Sequence, residues 1–289
     1  MLKTKKHPGS VLITGADGFT GKYLTAHLLD NGFSVHALAS DLLDNDSLVQ
    51  ELEQVSPDYV IHLAAISFVA EKNSEKIYQV NVLGTELLLK SLAKLKNKPK
   101  KIILASSAAV YGNQDCNVLD EGLCPRPVSH YAFSKLNMEL LSATFANRLD
   151  ILNVRLFNYT GIGQDDIFII PKLVAAFKRG DKYIELGNID VKREFNDVRD
   201  VCEIYTQLLT SPKGIGVVNI CSSRSISLSH VIKTLNNLSG YEIDVRLNQE
   251  FVRENEVWDL SGSITNLSSL IDLNFHYSIE ETLEWMFVE

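Results

Sequence analysis

The sequence predicts an α/β fold: a doubly wound parallel sheet with a smaller, interleaved C-terminal lobe. Three observations carry this. Short apolar runs alternate with segments of helical periodicity through the first half of the chain. Three spaced glycines stand between the first such run and the first helical segment. From Tyr159 onward the alternation loosens, and 289 residues are ample for one large domain or two packed lobes.

Taken in order, "SVLIT" reads as the first strand and "KYLTAHLLDNG" as a helix ending in a glycine stop. "FSVHALA", "YVIHLAA" and "KKIILASS" read as further buried strands. Between the last two, "NVLGTELLLKSLAKLK" carries apolar residues at helical intervals. A helix begins at Tyr131, and "DILNVRLFN" gives the next strand. "GIGQDDIFIIPKLVAAFKRGDKYIELGN" holds a helix and a strand without regular alternation. "GVVNICS" reads as a return to the sheet, "SLSHVIKTLNNLSG" as a helix with a glycine stop, and "SIEETLEWM" as a terminal helix. Residues 1–157 are expected to form the sheet domain, with about 196–222 returning to it, and 158–289 mainly the second lobe. A cleft is expected at the carboxyl ends of the strands, between the lobes.

Composition narrows the partners. A hydrophobic share of 45% and a charged share of 22% are those of an ordinary globular protein. The net charge of −8 argues against nucleic acid or an anionic membrane as main partner, though not against a small anion in a basic pocket. The four cysteines have no metal-ligand spacing, so buried reduced thiols and no metal are expected. "MLKTKKHPGS" reads as a solvated tail on a cytoplasmic protein, since the apolar run after it is too short for a signal peptide or a span.

"LITGADGFTGKYL" sets Gly15, Gly18 and Gly21 between strand and helix. Glycines in that context allow a tight turn, close approach of backbone to a pyrophosphate, and close helix–strand packing. The helix start offers N–H groups and a positive dipole end to phosphates. This makes residues 1–157 a dinucleotide-binding domain. NAD sites usually carry an acid at the end of the second strand, on the ribose 2′-hydroxyl. Here Ala39 and Ser40 fall there. Nothing negative at that point is expected to repel a 2′-phosphate, and Ser40 can donate to one, although no arginine stands nearby. NADP(H) is therefore preferred and NAD(H) possible, with Asp41 the competing ribose or adenine contact.

Tyr131 and Lys135, at i and i+4, project from one face of a helix. Phe133, Leu136 and Leu140 form a separate apolar stripe, expected to face the core. A free phenol titrates near about 10, and a nearby ammonium favours its ionised form, making it a usable acid or base. The competing reading is a surface tyrosine and a solvated lysine. Against it, Tyr131 alone among ten tyrosines has lysine four residues on, and Ser106 and Ser107 end a buried strand.

Together "TGADGFTG", "DLLD", "HLAA", "NVLGT", "SSAAVYG", "YAFSK" and "VRLFN" resemble the extended short-chain dehydrogenase/reductase family, in family order. The resemblance implies a Ser107–Tyr131–Lys135 triad and hydride transfer with nicotinamide. Ser107 orients the substrate oxygen, Tyr131 passes the proton, and Lys135 binds the nicotinamide ribose. It also implies cofactor contacts from Gly15, Gly18, Phe19, Thr20, Gly21, Ser40, Asp41, Leu42, Leu63, Ala64 and Ala65, with Ser67 on the substrate side. The interval before "DLLD" is shorter than in many members, which unsettles the adenine-side contacts alone.

The second half resembles the sugar-nucleotide branch. "VRLFNYTGIGQ", "FIIPKL", "LGNIDVKREFNDVRDV" and "RENEVWDLSGSITNL" are similar to segments of GDP-4-keto-6-deoxymannose reductases and GDP-mannose dehydratases. By that resemblance Asn158, Arg193 and Arg253 hold the diphosphate, Lys172 lies near the base, and Glu256 touches its ribose. Guanidinium groups suit diphosphate oxygens, while a surface ion pair for Arg193 and a solvated Lys172 are the competing readings. The dehydratases carry a carboxylate directly after the triad hydroxyl. Here Ala108 and Ala109 stand there, and alanine moves no proton. The expected activity is NAD(P)H-dependent reduction of the C4 ketone of a nucleotide-linked, most simply GDP-linked, 4-keto-6-deoxyhexose. The resemblance places it in deoxysugar and polysaccharide biosynthesis, and implies a homodimer through helices starting near Asn81 and Tyr131. Rival readings are a dTDP- or CDP-linked reductase, an NAD-dependent 4-epimerase, and a non-catalytic dinucleotide sensor.

Overall fold

The structure is a computed structural model and describes residues 8–67, 73–212, 216–251 and 258–289. The first half runs β1 (Ser10–Thr14), α1 (Phe19–Asp30), β2 (Ser34–Ala37), α2 (Asn45–Val55) and β3 (Tyr59–His62). Next come α3 (Ser74–Tyr78), a π-helical turn (Gln79–Gly84), α4 (Thr85–Lys94) and β4 (Lys101–Ser107). A 3-10 turn (Ala108–Tyr111), β5 (Val118–Leu119), α5 (His130–Ala143) and β6 (Ile151–Leu156) follow. Then β7 (Tyr159–Thr160), α6 (Ile169–Arg179), β8 (Tyr183–Leu186), β9 (Lys192–Glu194), β10 (Asn196–Asp197) and α7 (Val198–Leu209). The chain ends through β11 (Val217–Ile220), β12 (Ser225–Ser227), α8 (Leu228–Ser239), β13 (Asp244–Leu247), β14 (Ser261–Gly262), α9 (Thr265–Leu270) and α10 (Ile279–Val288).

Six strands make a parallel sheet in the order β11-β6-β4-β3-β1-β2. The chain steps from β1 outward to β2, then returns to the other side of β1 as β3. The order reverses there, at the point where doubly wound sheets bind ligands. The inner strands are apolar and buried, with Val11, Leu12, Ile13, Val60, Ile61 and Ile102–Leu104 fully enclosed. β2 departs from the expected buried strand: it is the sheet edge, and Ser34 and Ala37 are exposed. One core packs sheet residues Leu12, Val60 and Leu104 against Leu48 and Leu52 of α2, Leu88 and Leu92 of α4, and Met138 of α5.

By its internal contacts the chain forms two units. One comprises residues 1–112, 124–156 and 202–218, the other 113–123, 157–201 and 219–289. The second unit has its own core, built from Leu173 and Phe177 of α6, Ile184 and Leu186 of β8, Val231 and Leu235 of α8, and Leu283 and Met286 of α10. Its last helix begins with a reciprocal cap, Ser278 accepting from Glu281 N while the Glu281 carboxylate accepts from Ser278 N. Among the described residues no helix is long and apolar enough to cross a membrane.

Two helices differ from expectation. The segment read as one helix from "NVLGTELLLK" has a π-helical turn at Gln79–Gly84 before α4 starts at Thr85. In α5 the stripe of Phe133, Leu136 and Leu140 does not face the core: Phe133 is 45% exposed and Leu140 62%. The buried face is instead Ala132, Ser134, Lys135, Met138, Glu139 and Ser142. Polar partners from the sheet satisfy that inward face, which frees the apolar stripe to point outward.

Candidate active site

The glycine loop separates packing demands from ligand demands. Gly15 has φ +71°, and a Cβ on it would lie 2.8 Å from Ala64 N. A Cβ on Gly21 would lie 2.2 Å from Gly15 O. Both glycines are required by the fold itself. Gly18 is different, with an ordinary φ of −71° and only Gly15 O in reach, at 3.3 Å. Packing presses on it least, so its missing side chain leaves the loop open to a close-approaching group. It sits at the start of α1, where no side chain caps the helix, and Phe19, Thr20 and Gly21 form the first turn. A dinucleotide pyrophosphate fits this cradle of backbone and helix dipole.

A buried hydrogen-bond chain fixes the neighbouring strand ends. Thr85 Oγ1 donates to Asn81 O at 2.8 Å, so it accepts from His62 Nε2–H at 2.9 Å. His62 Nδ1 is then the acceptor, and Thr14 Oγ1 donates to it at 2.7 Å while accepting from Ala64 N at 3.1 Å. Burial, helped by the Lys135 charge, pushes His62 down to about 3, so the ring is neutral. The chain spans β1, β3 and the π turn, and holds the Leu63–Ala64–Ala65 backbone beside Gly15. Asn81, itself buried, accepts from Ile66 N at 2.8 Å and donates to Ile66 O and to Ser134 Oγ at 2.9 Å. It ties the segment leading to exposed Ser67 onto α5.

At the end of β2 the structure corrects the expectation that nothing negative stands near Ala39 and Ser40. Glu51 of α2 reaches back to them. Its Oε1 accepts from Ala39 N at 2.9 Å and His36 Nε2 at 2.8 Å, and its Oε2 from Ser40 N at 2.8 Å and Ser40 Oγ at 2.6 Å. Burial opposes ionisation, but these four donors outweigh it and hold the Glu51 carboxyl down at about 2. Asp41 is exposed and accepts from Leu43 N at 2.9 Å, while Leu42 is buried and packs beside Gly84.

Ser107, Tyr131 and Lys135 come together. Ser107 ends β4 and accepts from Ala109 N at 3.1 Å, capping the 3-10 turn. Its hydroxyl is also hydrogen-bonded to the Tyr131 phenol. Ser129 caps α5 by accepting from Ala132 N at 3.2 Å, which sets Tyr131 in the first turn. Lys135 is buried; its Nζ lies 5.9 Å from the Tyr131 ring centre and donates to Ala105 O at 2.7 Å. Burial holds the Tyr131 phenol above its ordinary value against the Ser107 hydrogen bond, so it stays protonated at neutral pH. Burial also pulls the Lys135 ammonium down to about 8, against the raising effect of the Glu139 carboxylate.

Glu139 continues the Tyr131–Lys135 row one helical turn further. It accepts two bonds from Arg155 of β6, Nε at 3.0 Å and Nη2 at 2.7 Å, and one from Ser106 Oγ. The Arg155 guanidinium lies 4.7 Å from the Tyr111 ring centre. This buried pair keeps a negative charge near Lys135.

In the second unit Asn158 is exposed, and its carbonyl accepts from Asn196 N at 2.9 Å. Lys172 of α6 lies 5.3 Å from the Phe251 ring centre, and half-buried Arg193 sits in β9. Arg253 and Glu256 lie outside the described residues. Sequence reasoning passed over Asn81, His62, Glu51 and Glu139. "NVLGT" offered a signal for Asn81, and Glu139 stands four residues beyond Lys135. For Glu51 the sequence gives no local signal, because helix and strand meet only through the fold.

The NAD dependent epimerase/dehydratase family matches residues 11–221. A GDP-6-deoxy-D-talose 4-dehydrogenase of Aggregatibacter actinomycetemcomitans is 34% identical over 283 residues, covering 96% of either chain. A GDP-6-deoxy-D-mannose reductase of Pseudomonas aeruginosa is 32% identical, covering 94% of either chain. Among solved structures, RMD from Pseudomonas aeruginosa complexed with NADPH aligns with a TM-score of 0.88 at 30% identity, over 97% of this chain and 98% of that one. MoeE5 in complex with UDP-glucuronic acid and NAD aligns with a TM-score of 0.86 at 27% identity, over the same shares. With its glycine cradle, its parallel sheet and the Ser107–Tyr131–Lys135 cluster, the chain belongs to the NAD dependent epimerase/dehydratase family, the sugar-nucleotide enzymes of the extended short-chain dehydrogenase/reductases.

Proposed function

We propose that the chain is a reductase of the C4 ketone of a nucleotide-linked 4-keto-6-deoxyhexose, with GDP as the favoured nucleotide, acting in deoxysugar biosynthesis in the cytoplasm. The observation that carries it is the protonated Tyr131 hydrogen-bonded to Ser107, with two alanines following that serine in the 3-10 turn. Such a site can give one proton to a ketone oxygen. Ala108 and Ala109 offer no second acid or base for eliminating water. The two relatives' names agree on chemistry: 6-deoxytalose and 6-deoxymannose differ at C4, and oxidation there gives one shared ketone.

When bound, the nicotinamide supplies the hydride. Gly15, Gly18 and the first turn of α1 would hold the dinucleotide phosphates, with the Ala64 backbone packed against Gly15. Ser107 accepts from Ala109 N, which aims its hydroxyl at the phenol and the substrate oxygen. Tyr131 passes its proton to that oxygen. Lys135 stabilises the phenolate left behind, because a buried cation near a developing anion acts without solvent screening. We assign Asn158, Arg193 and Arg253 to the diphosphate of the substrate, Lys172 to its base and Glu256 to the ribose of that base. In the cell we expect a homodimer joined through the helical segments starting near Asn81 and Tyr131, supported by the exposed apolar side chains Leu83 of the π-helical turn and Phe133 and Leu140 of α5.

The test offers GDP-, dTDP- and CDP-linked 4-keto-6-deoxyhexoses with NADH or NADPH, following nicotinamide absorbance and identifying the sugar by NMR. The GDP sugar is expected to drive oxidation and give a 6-deoxyhexose product. No oxidation with any of the three sugars refutes the reductase assignment. Tyr131→Phe is expected to keep cofactor affinity while turnover falls by about 10²–10⁴, the usual worth of a positioned acid.

A further inference from the structure

The turn after β2 bears on which dinucleotide the chain takes. Three observations converge on it. First, Glu51 carries its carboxylate to the end of β2 from a different element, α2, and anchors it on Ala39 N, Ser40 N, Ser40 Oγ and His36 Nε2. Second, the Ser40 hydroxyl proton is committed to Glu51 Oε2 at 2.6 Å. A hydroxyl whose one proton is spent presents lone pairs to any other neighbour. It accepts from a ribose hydroxyl and cannot donate to a phosphate oxygen. Third, from Ser34 to Val55 the chain has five carboxylates and neither lysine nor arginine, so the turn's own elements supply no counter-cation for a phosphate.

The place matters because the end of the second strand in a doubly wound sheet is where the adenosine ribose is read. Ala39 is exposed and Ser40 half-buried, so the turn is open to a ligand. Glu51 is held by four donors on β2 and its turn, so it swings away only by giving up all four bonds. A phosphate monoester there meets a fixed negative charge and a hydroxyl oxygen that only accepts. A plain 2′-hydroxyl meets an acceptor at hydrogen-bonding polarity.

We propose that Glu51, acting through Ser40, makes this enzyme select NAD(H) over NADP(H), a carboxylate from α2 replacing the acid that β2 lacks. The proposal rests on the reading that the chain binds a nicotinamide dinucleotide, and not on the sugar substrate.

The experiment measures NADH and NADPH dissociation constants by nicotinamide fluorescence on the purified protein. Wild type is expected to bind NADH at least about tenfold more tightly than NADPH at low salt, the size of a like-charge penalty at a half-exposed site. That ratio is expected to shrink as ionic strength rises, because salt screens the repulsion. Glu51→Gln is expected to tighten NADPH binding and bring the ratio close to one. Ser40→Ala, which keeps the charge and removes the acceptor, is expected to weaken NADH binding and leave NADPH weak. Melting temperatures of both variants show whether they fold. Should Glu51→Gln not fold, the wild-type ratio, its salt dependence and Ser40→Ala still decide. Wild type binding NADPH as tightly as NADH, or a preference that Glu51→Gln leaves intact, overturns the proposal. A protein that prefers NADH yet oxidises it with none of the keto sugars would sink the reductase reading and leave this one standing.

Discussion

In the proposed mechanism Lys135 sets the pH range in which the site works. Its ammonium titrates at about 8, so the cation that stabilises the Tyr131 phenolate is present below that value and lost above it. The reductive kcat/KM is therefore expected to fall above about pH 8, which a pH–rate profile at saturating dinucleotide checks. Glu139 holds that value up. In Glu139→Gln the falling limb is expected to move to lower pH, while Arg155, left buried without its carboxylate, costs about 3–5 kcal/mol of stability. Denaturant melts of Glu139→Gln, and of the Glu139→Gln/Arg155→Met double variant, separate the two effects. The double variant should regain stability without regaining the limb. The glycines make a second residue-scale pair. Gly21→Ala, with its Cβ forced onto Gly15 O, is expected to lower stability by about 1–3 kcal/mol or more. Gly18→Ala should fold nearly as well and lose dinucleotide affinity.

At the scale of elements, α5 carries charge and hydroxyls inward and apolar side chains outward. The outward stripe is the basis of the expected homodimer. Leu140→Asp, at a position 62% exposed, should leave the melting behaviour of the monomer intact while shifting the light-scattering mass to that of one chain. An unchanged dimer mass would remove the stripe from the interface. The α2–β2 contact also has a pH signature. The folded Glu51 carboxyl lies at about 2, below its ordinary value. Its contribution to stability is thus fully present above the ordinary carboxyl range and lost as pH falls toward about 2. The acid limb of the wild-type stability curve should flatten in Glu51→Gln.

For the whole molecule, what the sequence revealed was what depends on neighbours along the chain. Apolar runs gave the six sheet strands, and Gly15, Gly18 and Gly21 gave the loop, because strand periodicity and tight turns are local properties. Tyr131 and Lys135 were legible for the same reason, being one helical turn apart. The exposure of Phe133 and Leu140 was not, since an apolar stripe looks the same whether a core or solvent lies beyond it. Nor was Glu51, whose partners at His36, Ala39 and Ser40 belong to another element. Sequence reasoning looked for an acid within that strand alone, whereas the carboxylate beside Ala39 and Ser40 comes from α2.

The two units are each stitched from separate pieces, with the backbone passing between them after residues 112, 123, 156, 201 and 218. Strand β5 pairs with β14, more than a hundred residues later, and β11 closes the sheet's far edge long after β6. Neither unit can therefore be completed early by a growing chain. During synthesis the sheet must wait for residues 217–220, and the second core for α10. Such late, long-range closure slows folding, because loop entropy is lost before contacts repay it. Cutting the gene after residue 157 should give two fragments that are unfolded apart and regain a cooperative melt only when coexpressed.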